Sequence, residues 1–435
     1  GGGSGGGSGE DRVEQSAPPE HSHKKTSAMA WQAPAPKGKI KDHVASDARG
    51  TWFTEKAVIK AEIKQVKTYA RDDGKVLGEV TLPGDICGDR VPPSGGTLAV
   101  TYKSGKVCDK LTLIDLSEHR RVWTRTLPDE YADGEPVTWS THTRVKDTLY
   151  VALDGRLTAL NAADGERRWT RNLPKGWAWG HLVGGEGRLL TTLQRTDGSG
   201  TGTGSTSRVR ELSPADGATK WSWRVPANKR VEVFASTSPL VLGLATGKEY
   251  VVTEFVSLSD SGKRRAGIPL LKSGPRSKDG VPNLKHVPGC GYGGDGCSDT
   301  VITNDMVYLP TEDARSGGDA EWAENKIVAY SLATGRVEWS KTTGPKRSGI
   351  PVDVDGGNVI VYAEATAESG GQLIRFDPDT GARSVYQRHP DSDSDTERRT
   401  YAPGTPLPVY LDRGQFFIVS ESLGGSEEMI ITAYE

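Results

Sequence analysis

The segment ALNAADGERRW at 159–169 sets a tight Ala-Asp-Gly turn four residues before a tryptophan, and the chain repeats that arrangement. ELSPADGATKW at 211–221 and AYSLATGRVEW at 329–339 have the same shape. LIDLSEHRRVW at 113–123 keeps the tryptophan but holds His119 in the glycine place. TYARDDGKVLG at 68–78, VSLSDSGKRRA at 256–266 and RFDPDTGARSV at 375–385 keep the turn and lose the tryptophan. The turn positions Gly74, His119, Gly165, Gly217, Gly262, Gly335 and Gly381 are separated by 45, 46, 52, 45, 73 and 46 residues. A recurrence near 45 defines a repeat architecture, in which each unit buries its apolar face only against its neighbours.

Between the turns the apolar pattern has period two. TLYVAL, TLAVTYK, NVIVYAEA, MVYLPTE and QFFIVSE read as strands of five to seven residues bounded by Gly, Asp or Ser. About four such strands fit each interval, which is the arithmetic of a propeller blade. The glycine turn supplies a positive φ between the third and fourth strands. The tryptophan that follows (Trp123, Trp169, Trp221, Trp339) opens the outer strand and fills the wedge between blades.

A second offset fixes closure. Proline stands five residues after the tryptophan place in Trp123–Pro128, Trp169–Pro174, Trp221–Pro226 and Gly78–Pro83. The same offset recurs near the N-terminus as Trp31–Pro36, with no turn before it. The C-terminal EMIITAYE matches the strand before a turn, as in NKIVAYSLATG, and then stops. The two ends are therefore complementary parts of one blade. The expected fold is an all-β, eight-bladed propeller of four-stranded antiparallel blades, the last closed by the N- and C-terminal strands.

These repeats resemble the PQQ-like, quinoprotein-type β-propeller family. The residues that carry the resemblance are the A-x-x-A-x-x-G-x-x-x-W pattern of ALNAADGERRW and its echoes ADGATKW and ATGRVEW. It spans roughly 28–435, and within the family the chain is similar to the bacterial secreted or membrane-tethered members, including the outer-membrane assembly-factor type. Those members are binding scaffolds, which implies a non-catalytic role. Quinoprotein dehydrogenases of the family carry a disulfide between adjacent cysteines and Glu, Asn and Asp ligands to calcium. This sequence has no Cys-Cys pair and no match to those ligand motifs. No cofactor, catalytic residue or metal site is expected.

Four cysteines allow three pairings; Cys87–Cys108 and Cys290–Cys297 are favoured because each falls within one repeat interval. Paired cysteines point to an oxidising, extracytoplasmic compartment. A net charge of -2 with mixed signs gives no basic face for nucleic acid and no polybasic run for a membrane surface. The Gly/Ser/Pro-rich start, 1–27, is expected to be a flexible tether, either a linker or a stalk whose membrane anchor lies upstream. The ordered domain is expected from Ala28.

The 73-residue interval contains an insertion at about 271–300, which either caps a channel mouth, contacts a partner or merely decorates the surface. GWAWGH at 176–181 sets Trp177 and Trp179 beside His181, for blade packing or for ligand stacking. With Lys285 and Tyr292 from the insertion, these three form the candidate partner surface. Alternating aspartates at 391–395 lack the Gly and Glu of a calcium loop and read as a solvated loop; HSH at 21–23 falls in the tether; GSGTGTGS at 198–205 lacks the Lys of a phosphate loop. The functional expectation is a monomeric binding or scaffold ectodomain for a protein, peptide or cell-wall component. The alternatives are a PQQ-dependent oxidoreductase and the sensor ectodomain of a membrane signalling protein.

Overall fold

The computed structural model describes residues 17–196, 207–246, 250–271, 285–312, 314–315 and 323–435. Eight four-stranded antiparallel sheets follow one another around a ring. Seven are simple meanders: blades 1 to 7 span 51–81, 86–126, 141–172, 177–224, 229–269, 301–342 and 349–388. The eighth takes its inner three strands, Val409–Asp412, Gln415–Val419 and Met429–Tyr434, from the C-terminus and its outer strand, Met29–Pro34, from the N-terminus. The ring closes where the sequence places it. Trp31 pairs with Ala433, in the register by which Trp169 pairs with Ala159 and Trp339 with Ala329.

The core is distributed between blades. Eight apolar clusters each join two consecutive blades; Leu98 with Val66, Leu157 with Leu193, and Phe376 with Val301 are examples. The last two link blade 7 to blade 8 and blade 8 to blade 1, through Tyr362 with Phe416 and Phe417 with Val58. A ring of this kind leaves no open sheet face.

The repeated glycine and tryptophan belong to one lock. At five of the eight interfaces the indole of one blade lies under the turn glycine of the next: Trp31 under Gly74, Trp123 under Gly165, Trp169 under Gly217, Trp221 under Gly262 and Trp339 under Gly381. A Cβ on those glycines would fall 2.1–2.9 Å from ring atoms or their neighbours. Each glycine is thus required both for its positive φ and for the space the ring occupies. Trp31, Trp123 and Trp339 also donate Nε1–H to a carbonyl three residues before the glycine, on Arg71, Ala162 and Pro378. At blade 4 the matching carbonyl, Pro214, is taken by the Tyr150 hydroxyl instead.

The interface of blades 1 and 2 inverts the lock. Gly78 stands in the tryptophan place, and His119 of the next blade, at φ 53°, fills the space above it. Gly78→Trp alone should therefore overpack the interface, costing ~3 kcal/mol or more. Adding His119→Gly should restore thermal stability to within ~1 kcal/mol of wild type.

Residues 17–27 are not a tether, which corrects the expected boundary at Ala28; residues 1–16 and the loop 198–205 lie outside the described residues. Glu20 accepts two bonds from Arg375, His21 meets Asp355 at 2.9 Å, and the His23 ring stacks on Tyr386 at 3.6 Å. Ser27 continues the contact by donating its amide to Arg388. The reason is that no turn leads into the outer strand of blade 8, which comes from the other end of the chain, so this segment covers the flank of blade 7 that a turn would otherwise cover. The aspartates at 391–395 do not form a solvated loop either. They lead into a helix, Ser394–Tyr401, whose Glu397 is buried between His389, Tyr362 and the Gly371 amide. No helix among the described residues is long and apolar enough to cross a membrane.

Candidate functional site

The connection between blades 5 and 6 carries the insertion, and its disulfide end closes the centre of the ring. Cys290 and Cys297 are bonded, as are Cys87 and Cys108. The loop between Cys290 and Cys297 is seated against the first strand of blade 5, where Gly293 donates to Glu232 O and accepts from the Phe234 amide. From there Asp295 reaches Arg49 at 2.6 Å, on the connection entering blade 1. Blades 1 and 5 stand opposite each other in a ring of eight, so a contact between them crosses the axis. The glycines let the loop lie flat: a Cβ at Gly293 would sit 3.1 Å from the His181 Nδ1, and one at Gly294 would sit 3.3 Å from Val183. Of the three readings of the insertion, the geometry places its described end at a channel mouth. Residues 272–284 lie outside the described residues.

Arg49 is held from beneath. Asp47 accepts from its Nε and Nη2, and Arg90 joins Asp47 at 3.1 Å. Lys60 is fully buried and donates to the carbonyls of Ala48, Gly50 and Ala61, fixing the backbone that presents Arg49. Burial lowers the Lys60 pKa to about 8. Burial disfavours the Arg49 charge, but its two carboxylate partners outweigh that and keep it protonated.

Beside the plug a cleft of ≈ 440 Å³ opens between the inner strands of blades 3, 4 and 5. Its aromatic lining is Tyr131, Trp139, Trp179 and Tyr292, and its polar groups include Asp89, Asp154, Arg230 and Glu232. Tyr292 meets His181 edge to face at 4.5 Å. His181 Nε2 bonds the Val231 carbonyl at 3.1 Å, and burial lowers its pKa. Asp89 accepts from Trp139 Nε1 and from the His142 amide. Burial raises its pKa to about 7, and the charge of Asp295 adds to the effect. The lining offers flat apolar surface for a side chain or a peptide plane, with hydrogen-bonding groups at its margin.

The candidate residues fall in three places. Trp179, His181 and Tyr292 converge on the cleft. Trp177 lies outward along the same strand, with Arg195 and Arg208 over its ring. Lys285 is exposed, tied by its backbone to Leu270 and Glu312, and does not line the cleft. Arg49, Asp89 and Trp139 were not singled out from sequence. Arg49 and Trp139 lie on the connections entering blades 1 and 3, and Asp89 on the loop between the first two strands of blade 2, so nothing in the chain order joins them.

Removing the charge of Asp295 should open the plug without unfolding the ring. Asp295→Asn is expected to speed amide exchange at Gly293 and Phe234 roughly tenfold, the effect of losing ~1–2 kcal/mol from a half-buried pair. Global melting should move by less than about 2 °C.

The ring, its interlocking blades and its plugged axis define the class of protein as a β-propeller. A family model described as outer membrane protein assembly factor BamB matches residues 109–281 and 294–420, and the chain belongs to this PQQ-like propeller family. Among solved structures it is similar to BamB from Moraxella catarrhalis, with 14% identity, 92% of this chain and 99% of that one covered, and a TM-score of 0.48. It is also similar to the quinohemoprotein alcohol dehydrogenase of Comamonas testosteroni, with 13% identity, 94% and 76% covered, and a TM-score of 0.55. A quinohemoprotein alcohol dehydrogenase from Pseudomonas putida HK5 gives 12%, the same coverage and 0.54. At these identities the similarities establish the fold alone. No curated protein matches.

Proposed function

We propose that this chain is an extracytoplasmic propeller that works by binding, holding a segment of a protein or peptide at the cleft beside the plug, and that it carries out no quinone chemistry. The observation that carries the reading is the ion pair of Asp295 with Arg49 across the axis. The chain's own loop stands where a small molecule would enter the ring. The acidic side chains around that mouth do not suit a calcium-bound quinone, because arginines already neutralise them: Asp47, Asp295 and Glu232 are all paired in this way. The extracytoplasmic placement is supported by the two disulfides and by the family's outer-membrane assembly description.

Two experiments test it. Equilibrium dialysis against PQQ with calcium should show no saturable retention; retention with dye-linked oxidation of an alcohol would overturn the proposal. A photo-crosslinking residue at Tyr292 should trap a discrete protein adduct in cell envelopes, whereas the same residue at Val337, on the outer edge of blade 6, should not. Equal labelling at both positions would contradict a site at the cleft.

A further inference from the structure

The outer half of blade 4 gathers positive charge that the described chain does not oppose. Arg208 and Arg224 are direct partners across the third and fourth strands, and Arg210 pairs with Ser222 two residues along the same face. Like charges at directly opposed positions repel. Trp177 adjoins them, with the guanidinium groups of Arg195 and Arg208 5.2 and 5.8 Å from its ring centroid. The described carboxylates of this region are engaged elsewhere. Glu211 takes Arg188 at 2.7 Å and Lys220 at 3.9 Å, on the other face of the sheet, and Asp216 faces Arg171 at 4.0 Å. Arg210 Nε is buried with no hydrogen-bond partner among the described residues. Burial first, and then the charge of Arg208, lowers the Arg210 pKa, with no carboxylate acting the other way.

Composition does not produce this, since the whole chain carries a net charge of -2. Three strand arginines converging on the groove between blades 3 and 4, with no described carboxylate opposing them, cost stability unless an anion joins them. Planar guanidinium forks match phosphate oxygens two at a time, and an aromatic ring beside them stacks on a guanidinium and fixes its plane. We propose that Arg208, Arg210 and Arg224, flanked by Trp177, form a binding site for a phosphate group. A free phosphate compound and a phospholipid headgroup share that chemistry, and the site is independent of the cleft at the channel mouth.

Calorimetric titration of the full chain with inorganic phosphate at low salt should show saturable binding. Arg208→Gln with Arg224→Gln should weaken it at least tenfold, the loss expected when charge-assisted hydrogen bonds are removed. The unliganded melting temperature of this variant should be unchanged or higher, because the repulsion is gone. Lys220→Gln, on the opposite face, should bind phosphate as wild type does. Sedimentation with phosphatidylcholine vesicles, with and without phosphatidylglycerol, identifies the source. Arginine-dependent capture by the anionic vesicles assigns a lipid headgroup, and binding confined to dissolved phosphate assigns a soluble ligand. Absent phosphate binding, or equal affinity in wild type and the double variant, would overturn the proposal.

Discussion

Replacing Trp31 with alanine is expected to destabilise the protein by about 3–5 kcal/mol, the loss for a large buried aromatic that leaves a cavity. Trp31 is 8% exposed, packs with Tyr69 and Phe417, and donates its Nε1–H to the Arg71 carbonyl. Spread over the unfolding entropy of a chain this long, that corresponds to a drop in Tm of about 5 °C. Trp123 makes the equivalent lock at the interface of blades 2 and 3. Its alanine variant should cost a similar amount. Only Trp31→Ala should also raise amide exchange in Met429–Tyr434, because only that ring sits on the strand that closes the circle. Hydrogen exchange of the two variants separates a general packing loss from a loss of closure.

The second large effect is a pH dependence carried by Asp89. Its folded pKa of about 7 lies above the unfolded value near 3.8, so between those limits the folded state binds more protons. Stability from this group therefore falls as pH rises through that window. The full cost is present above pH 7 and absent below about pH 4. The difference corresponds to about 4 kcal/mol. Asp89→Asn removes the dependence and adds a constant penalty, since an amide cannot accept from both Trp139 and the His142 amide. His142, buried and lowered to about 4, has the opposite slope, and it is common to both proteins. Denaturant midpoints at about pH 4, 5.5 and 7 should show the variant gaining on wild type with each step. A parallel pair of curves would mean that Asp89 is ionised throughout.

The ring was readable in the chain because each blade repeats one local device. A turn glycine and a tryptophan four residues later mark the boundary between third and fourth strands wherever both occur. The match of EMIITAYE to NKIVAYSLATG, which sets Ala433 in the place of Ala329, gave the register at closure, and Trp31 opposite Ala433 is that register. The inversion at Gly78 and His119 looked like two weak repeats because the compensating residues sit in different blades. Residues 17–27 looked like a tether because their contacts are polar and distant in sequence: Glu20 binds Arg375, and His23 stacks on Tyr386. The helix at 394–401 is two turns long and mostly polar, too short for a helical period to stand out.

The site followed the same division. Trp179, His181 and Tyr292 could be nominated because aromatics near a glycine-rich disulfide loop are conspicuous in any sequence. Arg49 and Asp295 could not be joined, because their separation of 246 residues becomes a contact only after half the ring has formed. Asp89 looked ordinary until burial beside Trp139 changed its proton affinity.

Closure of the ring is what brings these groups together, and one cross-link tests it. Gln32 and Thr432 are paired across the closing strands, with their side chains 3.0 Å apart. The double variant Gln32→Cys with Thr432→Cys, oxidised and digested for mass spectrometry, should yield the two terminal peptides joined by an intramolecular disulfide, with both native disulfides retained. Free thiols on both peptides, or a cross-link found only between molecules, would contradict the closed eight-bladed ring.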